Sequence, residues 1–150
     1  MSTLKDRLRQ DLTAAMKSRD ALRSSTIRMA LAAIATAEVA GKQARELTDD
    51  DVVSILATET KKRREAAEAF EAGGRAELAQ KERDESAILA DYLPEALDAE
   101  ALASIIAEAI TATGAETMKD MGKVMAIVTP QTKGRADGAV VAAEVRRLLA

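Results

Sequence analysis

Tyr92-Leu93-Pro94 constrains this chain more than any other stretch. Proline has no backbone N–H and drives the residue before it out of the helical region. A helix arriving through Ile88, Leu89 and Tyr92 must therefore end there. The longer part of the chain, before the proline, reads as long, highly charged helices. The shorter part, after it, reads as short apolar helices rich in Ala and Val. β-branched residues do not cluster in alternating runs, so strands are not expected. The expectation is an all-α chain. A larger N-terminal four-helix unit spans 1–93, a small C-terminal three-helix unit spans 94–150, and Pro94 is a hinge or elbow between them.

Composition narrows the chemistry. Phe70 and Tyr92 are the only aromatic residues among 150, so any core is built from Leu, Ile, Val, Met and Ala. The chain has no Cys and no His. Thiol nucleophiles, disulfides, imidazole bases and Cys/His metal sites are thereby excluded. No cofactor and no metal are expected. No stretch approaches the roughly 18 continuous apolar residues of a membrane span. The opening Met1-Ser2-Thr3-Leu4-Lys5-Asp6 lacks the apolar core of a signal peptide. A soluble cytoplasmic protein is expected, with no membrane association.

The net charge of −3 argues against a strong general nucleic-acid binder. Its distribution is uneven. Residues 94–116 carry acids and no base, whereas the six Lys and Arg of the second unit all follow residue 116.

Taken in order, Leu4, Leu8, Leu12 and Met16 form one stripe of a first helix, capped by Ser2 or Thr3. Ser18-Arg19-Asp20 is a break. A second helix buries Leu22, Ile27, Leu31 and Ile34 and ends near Gly41. Thr48 starts a long third helix, with Asp49, Asp50 and Asp51 in its first turn, where acids suit the dipole. Gly73-Gly74 ends it and reverses the chain. The fourth helix has the stripe Leu78, Glu82, Glu85, Leu89 and Tyr92. Its carboxylates must face the basic middle of the third helix, so ion pairs are expected between Glu82 or Glu85 and Lys61, Arg63 or Arg64. Past Pro94, Asp98 caps a helix that ends at Thr113-Gly114. A short helix with Met121, Val124, Met125 and Val128 stops at Thr129-Pro130. Gln131 to Ala136 is an exposed basic loop. Asp137 caps a last helix with the stripe Val141, Val145 and Leu148.

Each charged motif has two readings. The Lys61 to Arg64 run suits phosphates or a partner's acids, but four consecutive helical residues point around most of the circumference, which favours a solvated face with structural pairs. Glu82 and Glu85 as an acid/base pair lack a nearby nucleophile. Asp49 to Asp51 lack the glycine turn and terminal Glu of an EF-hand loop. Lys133-Gly134-Arg135, just before a helix start, suits an anion, and it equally suits a soluble turn. Gly122 lies inside a helical pattern at a cost of about 1 kcal/mol against Ala, which points to close packing or backbone approach there. Gly73-Gly74-Arg75 does not match a P-loop.

Together these stretches resemble the YqeY protein family. The resemblance rests on Lys62-Arg63-Arg64-Glu65, Phe70-Glu71-Ala72-Gly73-Gly74-Arg75, Leu78-Ala79 with Glu82 and Glu85, and Tyr92-Leu93-Pro94. It extends to Asp120-Met121-Gly122-Lys123-Val124-Met125 and Lys133-Gly134-Arg135-Ala136-Asp137. Near the start it includes Leu8, Asp11, Ala15-Met16-Lys17, Arg19-Asp20 and Arg28-Met29. That family in turn resembles the C-terminal tail of GatB, a subunit of the tRNA-dependent amidotransferase, where the tail contacts tRNA away from the active sites.

The resemblance implies a GatB/YqeY-like accessory module that is noncatalytic and tRNA-associated. Its candidate RNA contacts are Lys119, Lys123, Lys133, Gly134, Arg135, Arg146 and Arg147. Carbon–nitrogen ligase activity with glutamine as amide donor is what the amidotransferase link implies, but the chain has no catalytic constellation for it. The alternative is a helical adaptor that binds a protein partner and no RNA.

Overall fold

The computed structural model describes residues 3–150. Among them it is all-α, with seven α-helices, one short 3-10 helix and no strand. The chain divides into two compact units, the first ending at Leu93 and the second running over Pro94–Ala150.

The first unit contains α1 (Thr3–Lys17), α2 (Ala21–Glu38), α3 (Asp49–Ala72) and α4 (Ala76–Ala90). Its core is aliphatic: Leu8, Ile27, Ala30, Ile34, Leu47, Val52, Leu56 and Leu89, closed by Tyr92. Asp20 accepts a hydrogen bond from the Arg23 backbone N–H at 3.0 Å and starts α2. The turn before it places Arg19 at φ 58°, an uncommon conformation for a side chain with a Cβ. Thr48 and Asp51 form a reciprocal capping box at the start of α3. At the other end, Gly74 at φ 74° closes a Schellman motif, in which Arg75 N–H donates to Phe70 O at 2.8 Å.

The second unit contains α5 (Ala99–Thr113), a 3-10 helix (Met118–Asp120), α6 (Met121–Thr132) and α7 (Gly138–Leu149). Its core joins Leu102, Ile106 and Ala109 to Val124 and Val128, and to Val141, Val145 and Leu149. Asp98 caps α5 through the Ala101 N–H at 2.7 Å, and Gly114 at φ 66° ends it.

Several expectations are corrected. Met16 is 52% exposed, and Ala15 is buried in its place. Residues four apart advance about 40° beyond a full turn at each step, so the fourth member of such a series has left the first member's face. Leu148 is 39% exposed and Leu149 is buried. Relative to Val145, Leu149 lies about 40° round the helix and Leu148 about 60°. Leu78 is 40% exposed, because the buried seam of α4 passes through Ala79, Glu85, Ser86 and Leu89.

Gly41 does not cap α2. That helix ends at Glu38, and the Glu38 carbonyl accepts from the Arg45 N–H at 2.9 Å as the chain turns away. Pro130 does not stop α6, which runs on to Thr132. The N–H missing at Pro130 removes one bond of the last turn. That turn is closed by the Thr132 hydroxyl donating to Val128 O at 3.1 Å and by Lys133 N–H donating to Thr129 O at 3.1 Å. Gln131 and Thr132 therefore belong to α6, with Thr132 buried. Gly122 has open space where a Cβ would stand, so close packing does not explain it. Ser2 lies outside the described residues. Thr3 sits inside α1, its hydroxyl donating to Asp49 Oδ2 at 2.5 Å.

Candidate functional site

The second unit carries six Lys and Arg against eight Asp and Glu, a net charge of −2. Any anion surface on it depends on cations that no internal acid already holds. Lys119 (in the 3-10 helix), Lys133 (at the end of α6) and Arg146 (late in α7) are exposed and make no ion pair among the described residues. Lys123 lies 3.9 Å from the Asp120 carboxylate and keeps most of its surface in solvent. Arg147 is held by Glu144, with Nη2–Oε1 at 2.6 Å and Nε–Oε2 at 3.0 Å. That hydrogen bond holds the Glu144 carboxyl below its usual range and pushes the Arg147 guanidinium up.

The Lys133-Gly134-Arg135 turn is built differently from a free basic loop. Gly134 takes φ 74°, a conformation glycine adopts without strain. The Arg135 backbone O accepts from Leu97 N–H at 2.9 Å, and its Nε donates to Glu95 O at 3.1 Å. Arg135 thus fastens residues 95–97 to the start of the α6–α7 turn. The N-terminus of α7 faces an acid of its own, since Asp137 accepts from the Ala139 N–H at 2.8 Å. Neither Lys133 nor Arg135 makes an ion pair among the described residues, but Arg135 is tethered through its Nε to Glu95 O while Lys133 is exposed. Lys123 and Lys133, ten residues apart, stand about 15 Å apart along the helix axis, so the candidate cations form no single tight site.

In the first unit, Arg63 and Glu85 meet across α3 and α4, with Nε–Oε2 at 3.3 Å and side chains only 4% and 7% exposed. Arg63 Nη1 also donates to the carboxylate and the carbonyl of Glu59, both at 3.0 Å. Among the described residues its Nη2 is buried with no hydrogen-bond partner. Lys81 approaches Glu85 at 4.0 Å. Arg64 is exposed, while Lys61 and Glu82 are half-buried.

One cluster was not anticipated from the sequence. The Tyr92 hydroxyl donates to Asp11 Oδ2, and the Arg7 guanidinium lies 4.6 Å from the ring centroid. Burial, then the Asp11 hydrogen bond, pushes the Tyr92 phenol well above its usual value. The available signal was a lone tyrosine on an apolar stripe, which needs a partner for its hydroxyl.

Among the described residues there is no group of three or more acids suited to a metal. No helix of the described residues is long and apolar enough to cross a membrane. A shallow depression at the α3–α4 reversal, lined by Gly74, Arg75, Ala76, Glu77 and Leu78, brings together no nucleophile and base.

Fold and surface thus define an all-helical, two-unit module with scattered surface cations and one buried ion-pair cluster. The chain belongs to the YqeY-like family, whose model matches residues 5–149. An uncharacterized protein of Schizosaccharomyces pombe is 37% identical over 89 residues, which is 59% of this chain and 70% of that protein.

Proposed function

We propose that this chain is a noncatalytic accessory module that associates with tRNA through its second unit, the part that resembles the GatB tail. Support for this reading comes from Lys119, Lys133 and Arg146, which are exposed and make no ion pair among the described residues, on a unit of net negative charge. Lys123, close to the rim of its pair with Asp120, is the fourth contact. With Tyr92 buried and Phe70 half-buried, no aromatic platform for stacked bases is available. Recognition is therefore of backbone and shape.

Three or four phosphate contacts give weak binding whose logarithm falls against the logarithm of salt with a slope of about −2 to −4. The test is tRNA binding by the native chain and by a Lys119→Ala/Lys133→Ala/Arg146→Ala variant. The variant should lose most of the affinity and most of the slope. Arg135→Ala should act through folding of the second unit, because its guanidinium is already bonded to Glu95 O. Equal binding by the native chain and the triple variant would remove the assignment.

A helical protein adaptor is the second reading. It is favoured by Met29, 48% exposed on α2, and by Val39, 65% exposed just past its end. A protein partner retained after nuclease treatment, indifferent to the triple variant and lost with Met29→Lys, would decide for it.

A further inference from the structure

The buried polar side chains of the first unit are Ser24, Thr26, Thr60, Arg63, Glu85 and Ser86. Four of the six fall in one short zone of the α3–α4 hairpin. On the body side of that zone, the hairpin contributes Val52, Leu56 and Leu89 to the aliphatic core, with Ile55 and Ile88 packed against it. On the far side, no residue joins that core. The buried apolar residues there are Ala67 of α3 and Ala79 of α4. The larger apolar residues of this stretch are Phe70, which is half-buried, and Leu78, which is exposed. Arg83 and Glu71 pair at 3.2 Å, but both lie in solvent, where such pairs contribute little.

We infer that the distal part of the hairpin, Arg64 to Asp84, opens as a unit separately from the helical body, with the polar layer around Arg63 and Glu85 as the boundary. Two observations carry this independently of the function proposed above. Burial of two alanine methyl groups removes far less apolar surface from water than the leucines and valines on the body side, so the distal helices are weakly held. The closed state also keeps Arg63 Nη2 buried without a partner. Opening the distal turns lets water reach that donor, so the boundary lowers the cost of opening on one side while the aliphatic core resists it on the other. Gly73-Gly74 provides a reversal about which the two distal segments can part and re-form.

Residue-resolved amide hydrogen exchange on the full chain tests this. Amides of Glu68–Ala72 and Gln80–Asp84 should share one opening, at least about tenfold more frequent than that of Leu56 and Leu89. Their exchange should also depend more weakly on denaturant, because a sub-global opening exposes less surface. In an Arg63→Met/Glu85→Leu variant the boundary becomes apolar and the difference between the two regions should shrink. Equal protection and equal denaturant dependence in the native chain overturn the inference. So does a smooth gradient of fraying outward from Gly73-Gly74 with no shared rate. A shared opening that the double variant leaves unchanged overturns the role given to Arg63 and Glu85.

Discussion

Arg63 sets the energetic stakes at the residue scale. Its charge is buried, and Glu85 and Glu59 are what make that tolerable. Removing Glu85 strips the buried guanidinium of one of its two carboxylates and leaves only Glu59, at a cost of up to about 3–5 kcal/mol. Glu85→Leu should therefore shift the urea midpoint sharply downward, and Arg63→Met/Glu85→Leu should recover most of the loss. If the double variant is as unstable as the single, the pair contributes through shape rather than charge. Tyr92 offers a second test, made clean because it is the only tyrosine. Its folded-state pKa lies above the unfolded value, so the native state favours the neutral phenol. The resulting stability is fully present below about pH 10 and is lost as pH rises through the folded value. In an absorbance titration, the phenolate of the native chain should appear at higher pH than that of the urea-unfolded chain. Gly122 is a third case. With open space at the Cβ position, Gly122→Ala should raise stability by up to about 1 kcal/mol. The Arg63–Glu85 pair follows from the spacing of the two helices, but the contacts made by the basic turn do not. Lys133 and Arg135 look equivalent in a basic loop, yet one is solvated and the other is bonded to Glu95 O. Such pairings depend on which chain segment passes nearby, and spacing along one loop does not encode that.

At the scale of elements, the helices were legible because their ends carry chemistry. Asp20, Thr48, Asp98 and Asp137 each cap a helix, and Gly74 and Gly114 each end one in the left-handed region. Helix faces were less legible at the ends of the stripes, where a fixed four-residue spacing drifts off the face. Met16 failed for that reason, whereas Leu148 failed because the stripe takes a four-residue step from Val145 to Leu149 and not a three-residue one. Pro130 misled because a proline in the last turn removes one hydrogen bond without ending the helix. The capping box gives a prediction on this scale. Thr48→Ala should lower stability by about 1 kcal/mol. Backbone and side-chain hydrogen bonds from Thr48 hold the Asp51 carboxyl below its usual range. A depressed carboxyl contributes stability above its unfolded pKa, near 4, and loses it as pH falls through the folded value. Circular dichroism melts should thus show the Thr48→Ala penalty shrinking as pH drops below about 4. A penalty that is constant with pH would place the effect in helix propensity alone.

On the scale of the whole molecule, each unit has its own aliphatic core, and both are built almost without aromatic side chains. The cations available for an external partner on the second unit are few and well separated, while the first unit keeps its strongest charges for internal use. Under the proposed function, a module of that kind would bind a polyanion weakly, and through charge number rather than through base identity. The most direct measurement is tRNA affinity at about 50 and about 200 mM salt for the native chain and the Lys119→Ala/Lys133→Ala/Arg146→Ala variant. The native chain should bind measurably at low salt and lose that binding steeply at high salt, and the variant should bind little at either. Binding that ignores salt, or a variant that binds as tightly as the native chain, would contradict the proposed function.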